Sequence, residues 1–388
     1  MDNFTYDVPT KIYFGKNQLG HLSELKLNGN KVLLVYGGGS IKRNGLYDCV
    51  SIILTQNNIR IFELPGVEPN PKIESVRKGV QLCKDNRIDM VLAVGGGSVI
   101  DCAKVIAAGA RYDGDPWDLV LDSSKIIDCL PIFTVLTIAA TGSEMDCWAV
   151  ISDMSKHEKW DTGSPVMLPM MSILEPENTF SVPRRQTAAG TADMMSHTFE
   201  NYFTNAEGAA VQAHLCEAVL KTCIEYGPAA LEHPDDYDAR ANLMWCGSLA
   251  LNGIESCGAD VAWCVHPMEH ELSAFYDITH GEGLAILTPV WMKYVLEKDP
   301  SKAVKFAAYG RNVWNIQETD NMKCSLTAIE KTADFFFRVM CMPDSLTKVG
   351  ISDDSCFGIM ADKAAKGCEG CFVPLTEKDI VEIYRRCL

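Results

Sequence analysis

Three of the chain's eight histidines fall in one short stretch, "HPMEHELSAFYDITHGE", as His266, His270 and His280. A second stretch, "TADMMSHTFE", holds Asp193 and His197 at positions i and i+4. His266 and His270 share that spacing. On a helix, such residues lie on one face, so each pair presents two donors in the same direction. A carboxylate and imidazoles converging from different segments suit a divalent first-row metal, Fe2+ or Zn2+. A lone pair is more often an ordinary core or surface pair. Two pairs plus a further histidine, in a chain with so few, favour a metal centre. Four donors suffice, so one of Asp193, His197, His266, His270 and His280 is surplus. A carboxylate and three neutral imidazoles leave a divalent site with net positive charge. That charge can polarise a carbonyl oxygen or stabilise an alkoxide.

Glycine turns upstream point to a nucleotide. "AVGGGSVIDCAK" sets Gly95, Gly96, Gly97 and Ser98 between a strand and a helix. Glycine lets a backbone approach a ligand closely. The N–H groups of a helix start favour phosphate, with Ser98 as N-cap and phosphate contact. Asp101 follows one turn into the helix, where a carboxylate can reach a ribose or an amide. The spacing is not the G-x-G-x-x-G of the common dinucleotide fingerprint. "LVYGGGSIKRNG" forms a second turn, after the run read as the first strand of the sheet. No acidic residue stands there to bind a ribose 2′-OH. Gly38, Gly39 and Ser40 offer room and donors, and Lys42 and Arg43 supply positive charge, which favours NADP over NAD. "LTIAATGSEM" ends a strand with Thr137, Thr141 and Ser143, hydroxyls suited to ligand contact. A divalent metal together with a nicotinamide supports hydride transfer between alcohol and aldehyde.

The elements that must position these groups divide in two. Up to about residue 180, apolar β-rich runs ("KVLLVYGGGS", "IRIFELPGV", "DMVLAVGG", "LPIFTVLTI") alternate with helical patterns such as "KIESVRKGVQLCKDN". Continuous apolar strands separated by helices indicate a parallel sheet covered on both faces. After "FSVPRRQTAAGTADMMSH" the pattern is helical throughout. The expected organisation is an α/β nucleotide-binding domain over 1–182 and an all-helical metal-binding domain over 183–388.

Bulk composition narrows the classes. With 388 residues, 47% hydrophobic and 22% charged, the chain is an ordinary globular protein. Its net charge of −16 argues against a nucleic-acid partner. No apolar stretch reaches the roughly 18 residues that span a bilayer. The N-terminus lacks the basic and apolar regions of a signal peptide, so the chain reads as cytoplasmic. Sixteen cysteines, scattered singly in apolar contexts, read as reduced buried thiols. Cys368 and Cys371 form a lone CxxC, weak evidence for zinc or redox work.

"GGGSVIDCAK", "TGSE", "ADMMSH" and "HPMEHELSAFYDITHGEG" together resemble the iron-containing (group III) alcohol dehydrogenase family, over nearly the whole chain. "VYGGGSIKRNG" looks like its NADPH-dependent butanol dehydrogenase and aldehyde reductase branch. The resemblance implies a dehydroquinate synthase-like fold with a cleft between the domains. It implies Asp193, His197, His266 and His280 as metal ligands. His270 is then the additional histidine close to metal and nicotinamide, a catalytic and not a liganding group. Gly95 to Ser98 match the pyrophosphate turn, and Asp101 a nicotinamide-side contact. Thr137, Thr141 and Lys159 match further cofactor contacts. Trp160 is not part of the family pattern. The implied activity is interconversion of small primary alcohols and aldehydes with NADP(H), NAD being the lesser cofactor. The implied assembly is a homodimer. A lyase resembling dehydroquinate synthase is the alternative. It would need several Lys and Arg in its pocket, whereas Trp245, Trp263, Phe275 and Tyr276 are expected near the histidines. A non-catalytic nucleotide-binding or redox-sensing protein using its cysteines is a further class.

Overall fold

A computed structural model describes residues 1–388. The chain divides into two compact units, one of residues 7–182 with 235–248, the other of residues 1–6, 183–234 and 249–388.

The first unit carries eight strands: β1 (Lys11–Phe14), β2 (Lys31–Tyr36), β3 (Arg60–Leu64), β4 (Met90–Gly95), β5 (Ile132–Leu136), β6 (Trp148–Asp153), β7 (Glu158–Gly163) and β8 (Met171–Leu174). Its helices are α1 (Ser40–Arg43), α2 (Leu46–Gln56), α3 (Ile73–Asn86), α4 (Gly97–Gly109) and α5 (Trp117–Leu121). Six strands form one sheet in the order β1-β8-β5-β4-β2-β3, every pair parallel. Strand β1 is therefore the first of the sheet; the run ending at Tyr36 is the second. An antiparallel β6–β7 hairpin lies outside it, and the alternation of apolar runs gave no sign of one.

Strands β2 and β4 are apolar along their length because both faces are covered. Leu33, Val35, Val91 and Ala93 pack with α3 and α4, while Val32, Leu34, Met90, Leu92 and Val94 pack with Leu46, Val50 and Leu54 of α2. The register sets Tyr36 opposite Val94, and Gly95 opposite Leu136. The turns that follow β2, β4 and β5 therefore emerge side by side at one edge of the sheet. The strand order reverses between β2 and β4, the place where open parallel sheets bind ligands.

The remaining helices are α6 (Arg184–Tyr202), α7 (Ala210–Glu232), α8 (Tyr237–Leu251), α9 (Val265–Tyr276), α10 (His280–Lys298), α11 (Ala303–Trp314), α12 (Asn321–Asp334), α13 (Phe357–Ala365) and α14 (Glu377–Arg386). The chain shows no strand after β8. The division at 182/183 is not clean, however. Residues 235–248, most of α8, pack with the α/β unit, and residues 1–6 pack with the helical one. Met244 enters the apolar core beside α4, and the Ser248 hydroxyl donates to Glu144. A helical pattern reports that a segment is helix, not which core its apolar face covers. No helix is long and apolar enough to cross a membrane.

Candidate metal centre and nucleotide-binding turns

In the helical unit, Asp193 and His197 sit on α6, His266 and His270 on α9, and His280 opens α10. One atom gathers the donors. Asp193 Oδ1 lies 3.7 Å from His197 Nε2, 3.8 Å from His266 Nε2 and 3.6 Å from His280 Nε2. These separations are too long for hydrogen bonds. They approach the roughly 3.3–3.6 Å between donors that each stand about 2.0–2.2 Å from a shared tetrahedral ion, and the ligand atoms of Asp193, His266 and His280 all lie within 4.8 Å of one another, a set that does not include His197. Asp193 Oδ1 and His266 Nε2 are buried with no hydrogen-bond partner. Orphaned buried polar atoms are costly unless something satisfies them, and a divalent cation does so. The residues present fit such an ion.

Packing explains the convergence. A Cβ on Gly281 would stand 2.0 Å from the Ala189 carbonyl oxygen, so the start of α10 lies directly against α6, one turn before Asp193. Arg185 ties the same two helix starts together, its Nε and Nη2 donating to Glu282 at 2.5 and 2.6 Å.

Two buried glutamates that the histidine spacing did not reveal orient the rings. Glu200 Oε1 lies 3.3 Å from His266 Nδ1 and accepts the backbone N–H of Val265 and His266 at 2.8 and 3.0 Å. The same carboxylate thus caps α9 and fixes His266. Glu269 accepts from His280 Nδ1 and from the Ser273 hydroxyl. A carboxylate at Nδ1 selects the tautomer that leaves Nε2 free to ligate. His197 has no such support, since its Nδ1 is buried without a partner. Glu200 follows His197 by three residues and Glu269 precedes His270 directly. An acid within one turn of a clustered histidine was the available signal.

The electrostatics match a cation site. Burial pushes the Asp193 carboxyl up, but His197, His266 and His280 outweigh it and hold it at about 2. Burial pulls His266 down, yet Asp193 and Glu200 hold it at about 9. Burial drives His197 down to about 4, with Asp193 opposing and the His266 charge assisting. The His197 and His266 rings stack at 4.6 Å, so charge on one disfavours charge on the other. His270 groups with Glu269 and His280, their ligand atoms lying within 4.8 Å of one another.

Of the four aromatics expected at the histidines, Trp263 packs tilted against the cluster, its ring 4.7 Å from His266 and 5.4 Å from His197. Trp245 packs in the other unit, edge-on to Phe14. Phe275 and Tyr276 pack against each other, and Lys363 Nζ lies over the Phe275 ring. All sixteen cysteines are free thiols, and Cys368 and Cys371 are buried.

In the α/β unit, the Gly95–Ser98 turn passes into α4. The N-cap is Gly96, so Ser98 sits within the first turn and not at the cap. The glycines answer first to packing. A Cβ would stand 2.5 Å from Val99 Cγ2 at Gly95, 2.0 Å from Ile138 Cγ2 at Gly96 and 2.2 Å from Thr141 Oγ1 at Gly97. The absent side chains let this turn press on residues 137–141. Thr137 donates its N–H to the Gly95 carbonyl at 3.0 Å, and Thr141 Oγ1 accepts the Ser143 N–H at 3.2 Å.

Asp101 is enclosed. Its Oδ1 accepts from the Ser143 hydroxyl at 2.6 Å and its Oδ2 from the Val150 N–H at 3.0 Å. Burial raises its pKa to about 6, against the pull of Lys104. Lys104, fully buried, donates to Ser143 Oγ at 2.9 Å, Asp146 Oδ1 at 2.7 Å and the Trp148 carbonyl at 2.7 Å. Lys159 is buried on β7 opposite Ser152, and Trp160 beside it packs on the core around α4. The turn after β2 is the open one: at Gly38 a Cβ would meet nothing within 4 Å.

A doubly covered parallel sheet with three turns at the C-terminal ends of its strands, followed by a helical unit in which a carboxylate faces three imidazoles, places the chain among proteins with the dehydroquinate synthase-like fold. The chain belongs to the iron-containing alcohol dehydrogenase family, whose model "Iron-containing alcohol dehydrogenase" matches residues 9–176 and whose C-terminal model matches 187–388. It is thus an NAD(P)-dependent alcohol dehydrogenase by family, with the dehydroquinate synthase-like fold. It is 54% identical to NADH-dependent butanol dehydrogenase B of Clostridium acetobutylicum, covering 100% of both chains. It is 38% identical to an NADPH-dependent aldehyde reductase of Escherichia coli, over 92% of this chain and 91% of that one. The crystal structure of NADH-dependent butanol dehydrogenase A from Thermotoga maritima superposes with a TM-score of 0.94 at 38% identity, over 100% and 99% of the two chains.

Proposed function

We propose that the chain interconverts small primary alcohols and aldehydes of the butanol type, using a divalent metal held by Asp193, His197, His266 and His280. The observation that carries this reading is the single carboxylate oxygen, Asp193 Oδ1, facing three imidazole nitrogens with no hydrogen-bond partner. A divalent ion there supplies Lewis acidity towards a carbonyl or alkoxide oxygen, and a nicotinamide supplies or takes the hydride. The ligand set suits Fe2+ and Zn2+ alike.

The chain's own residues do the rest. Glu200 and Glu269 hold His266 and His280 with Nε2 outward. Trp263 shields one side of the cluster from water. His270, close to His280 but not facing Asp193 Oδ1, handles the proton that the alcohol oxygen gains or loses. The turns at Gly38–Ser40 and Gly95–Ser98, with Thr137 and Thr141, bind the nucleotide, and Lys159 is carried with them as a cofactor residue. Asp101 and Lys104 keep the 141–148 segment in place. The carboxylate-free turn after β2, with Arg43 beside it, supports NADP(H) over NAD(H). Relatives named for each cofactor occur, which fits a modest preference. The chain acts in the cytoplasm, and its expected assembly is a homodimer.

Oxidation of NADPH and NADH against C2–C6 aldehydes, with metal analysis of the same sample, tests the reading. Activity abolished by a chelator and restored by Fe2+ or Zn2+ is expected. Asp193→Ala loses the metal and falls about 10³-fold or more in rate, since the metal stabilises the developing charge by several kcal/mol. His270→Ala keeps the metal and loses about 10²-fold. A metal-loaded, fully active Asp193→Ala enzyme would sink the assignment.

A further inference from the structure

The sequence places two cations, Lys42 and Arg43, after the open turn at Gly37–Ser40. The structure separates them. Lys42 Nζ lies 3.5 Å from Glu63 Oε2 and over two tyrosine rings, 4.3 Å from the Tyr47 centroid and 5.0 Å from that of Tyr36. Glu63 reaches this cluster from β3, opposite Leu34 of β2. Its Oε2 accepts the Tyr36 hydroxyl at 2.6 Å and its Oε1 the Tyr47 hydroxyl at 2.7 Å. Tyr36 is the last residue of β2, directly before the turn. Arg43 instead lies beside the turn, its Nη1 3.9 Å from where a Gly39 side chain would start.

We propose that Glu63 is a specificity-determining residue: it holds Lys42 in a neutral cluster against Tyr36 and Tyr47, so that Arg43 is left to meet a ribose 2′-phosphate. This rests on the reading of the β2 turn as the adenosine-ribose end of a dinucleotide site. The chemistry is charge balance. A 2′-phosphate brings two negative charges where a 2′-hydroxyl brings none, and a cation at that point decides between them. Lys42 and Glu63 together contribute no net charge. The arrangement keeps the preference for NADP over NAD small, although no acidic residue stands in the turn itself.

Calorimetric titration of the full-length protein with NADP+ and with NAD+ reads the proposal without turnover. Glu63→Gln keeps an acceptor for a tyrosine hydroxyl and removes the charge. It is expected to raise the NADP+/NAD+ affinity ratio about threefold to tenfold, the scale of one part-exposed charge. Adding Lys42→Met to that variant removes the gain, because the released cation is then absent. Arg43→Ala, at an exposed position where folding is not at stake, lowers the ratio about tenfold. An unchanged ratio in Glu63→Gln, a gain that survives Lys42→Met, or an unchanged ratio in Arg43→Ala each overturns the proposal. Absence of binding by both nucleotides overturns the dehydrogenase reading and this proposal with it. Binding of both with an unmoved ratio overturns the proposal alone.

Discussion

The two regions that carry chemistry solve the problem of buried polarity in opposite ways. Around Asp193, polar side-chain atoms are assembled and left without protein partners: Asp193 Oδ1 and His266 Nε2. Around Asp101, the polar side chains largely satisfy one another, with Lys104 donating to Ser143, Asp146 and Trp148, and Ser143 donating to Asp101. The first arrangement is incomplete without a ligand. The second is a strut: it fixes the 141–148 segment beside the turn proposed to bind the nucleotide. A buried cluster with missing partners announces a site, whereas a buried cluster with filled ones announces a frame.

The largest effect expected on this contrast comes from the frame. Lys104→Met leaves the Asp146 carboxylate buried without its cation and strips Ser143 and Trp148 of a donor. Breaking a buried pair from one side costs about 3–5 kcal/mol. The urea midpoint should fall accordingly, while the protein that remains folded keeps its full metal content. A loss below about 1 kcal/mol would show that the network does not brace these turns. The metal centre should respond the other way. Glu200→Gln keeps an oxygen to accept the α9 N–H groups but no longer holds His266 Nδ1–H with a charge. Metal affinity should drop about 10–100-fold in competition with a chelator, with little change in the unfolding midpoint of the metal-free protein. Equal damage to the metal-free fold would erase the distinction.

The candidate metal donors were legible because histidine is scarce here and the i, i+4 spacing on α6 and α9 is a local property. Which histidine was surplus was not legible from spacing. His266 and His270 are equivalent by periodicity; in the fold the approach of α10 to α6 at Gly281 brings His280 to Asp193, and Glu200 holds His266 beside it. Glu200 and Glu269 were hidden because an acid on a helix ordinarily signals solvent, and both are buried. The sheet was readable from its doubly covered apolar strands. The β6–β7 hairpin was not, since the apolar run of "WAVISD" is only four residues long and "EKWDTG" is mostly polar. The affiliation of α8 depends on which core receives Met244, a fact no local pattern holds. Glu63 reads as one acid in an apolar strand until its three partners come together around it.

The smallest expected effect distinguishes glycines kept for packing from a glycine kept for a ligand. Gly97 and Gly38 both stand in turns at the same edge of the sheet, and neither has a positive φ. A Cβ at Gly97 would press on Thr141 Oγ1 at 2.2 Å, so Gly97→Ala should cost about 1–3 kcal/mol through overpacking, with or without nucleotide. A Cβ at Gly38 meets nothing within 4 Å, so Gly38→Ala should shift stability by no more than about 0.5 kcal/mol. Whatever Gly38→Ala does must then appear in nucleotide affinity, because the methyl group projects into space that the protein leaves open. Thermal unfolding and nucleotide titration on the same two variants check this. A destabilised Gly38→Ala with unaltered nucleotide binding would mean that the open turn, like the closed one, is shaped by the fold and not by a ligand.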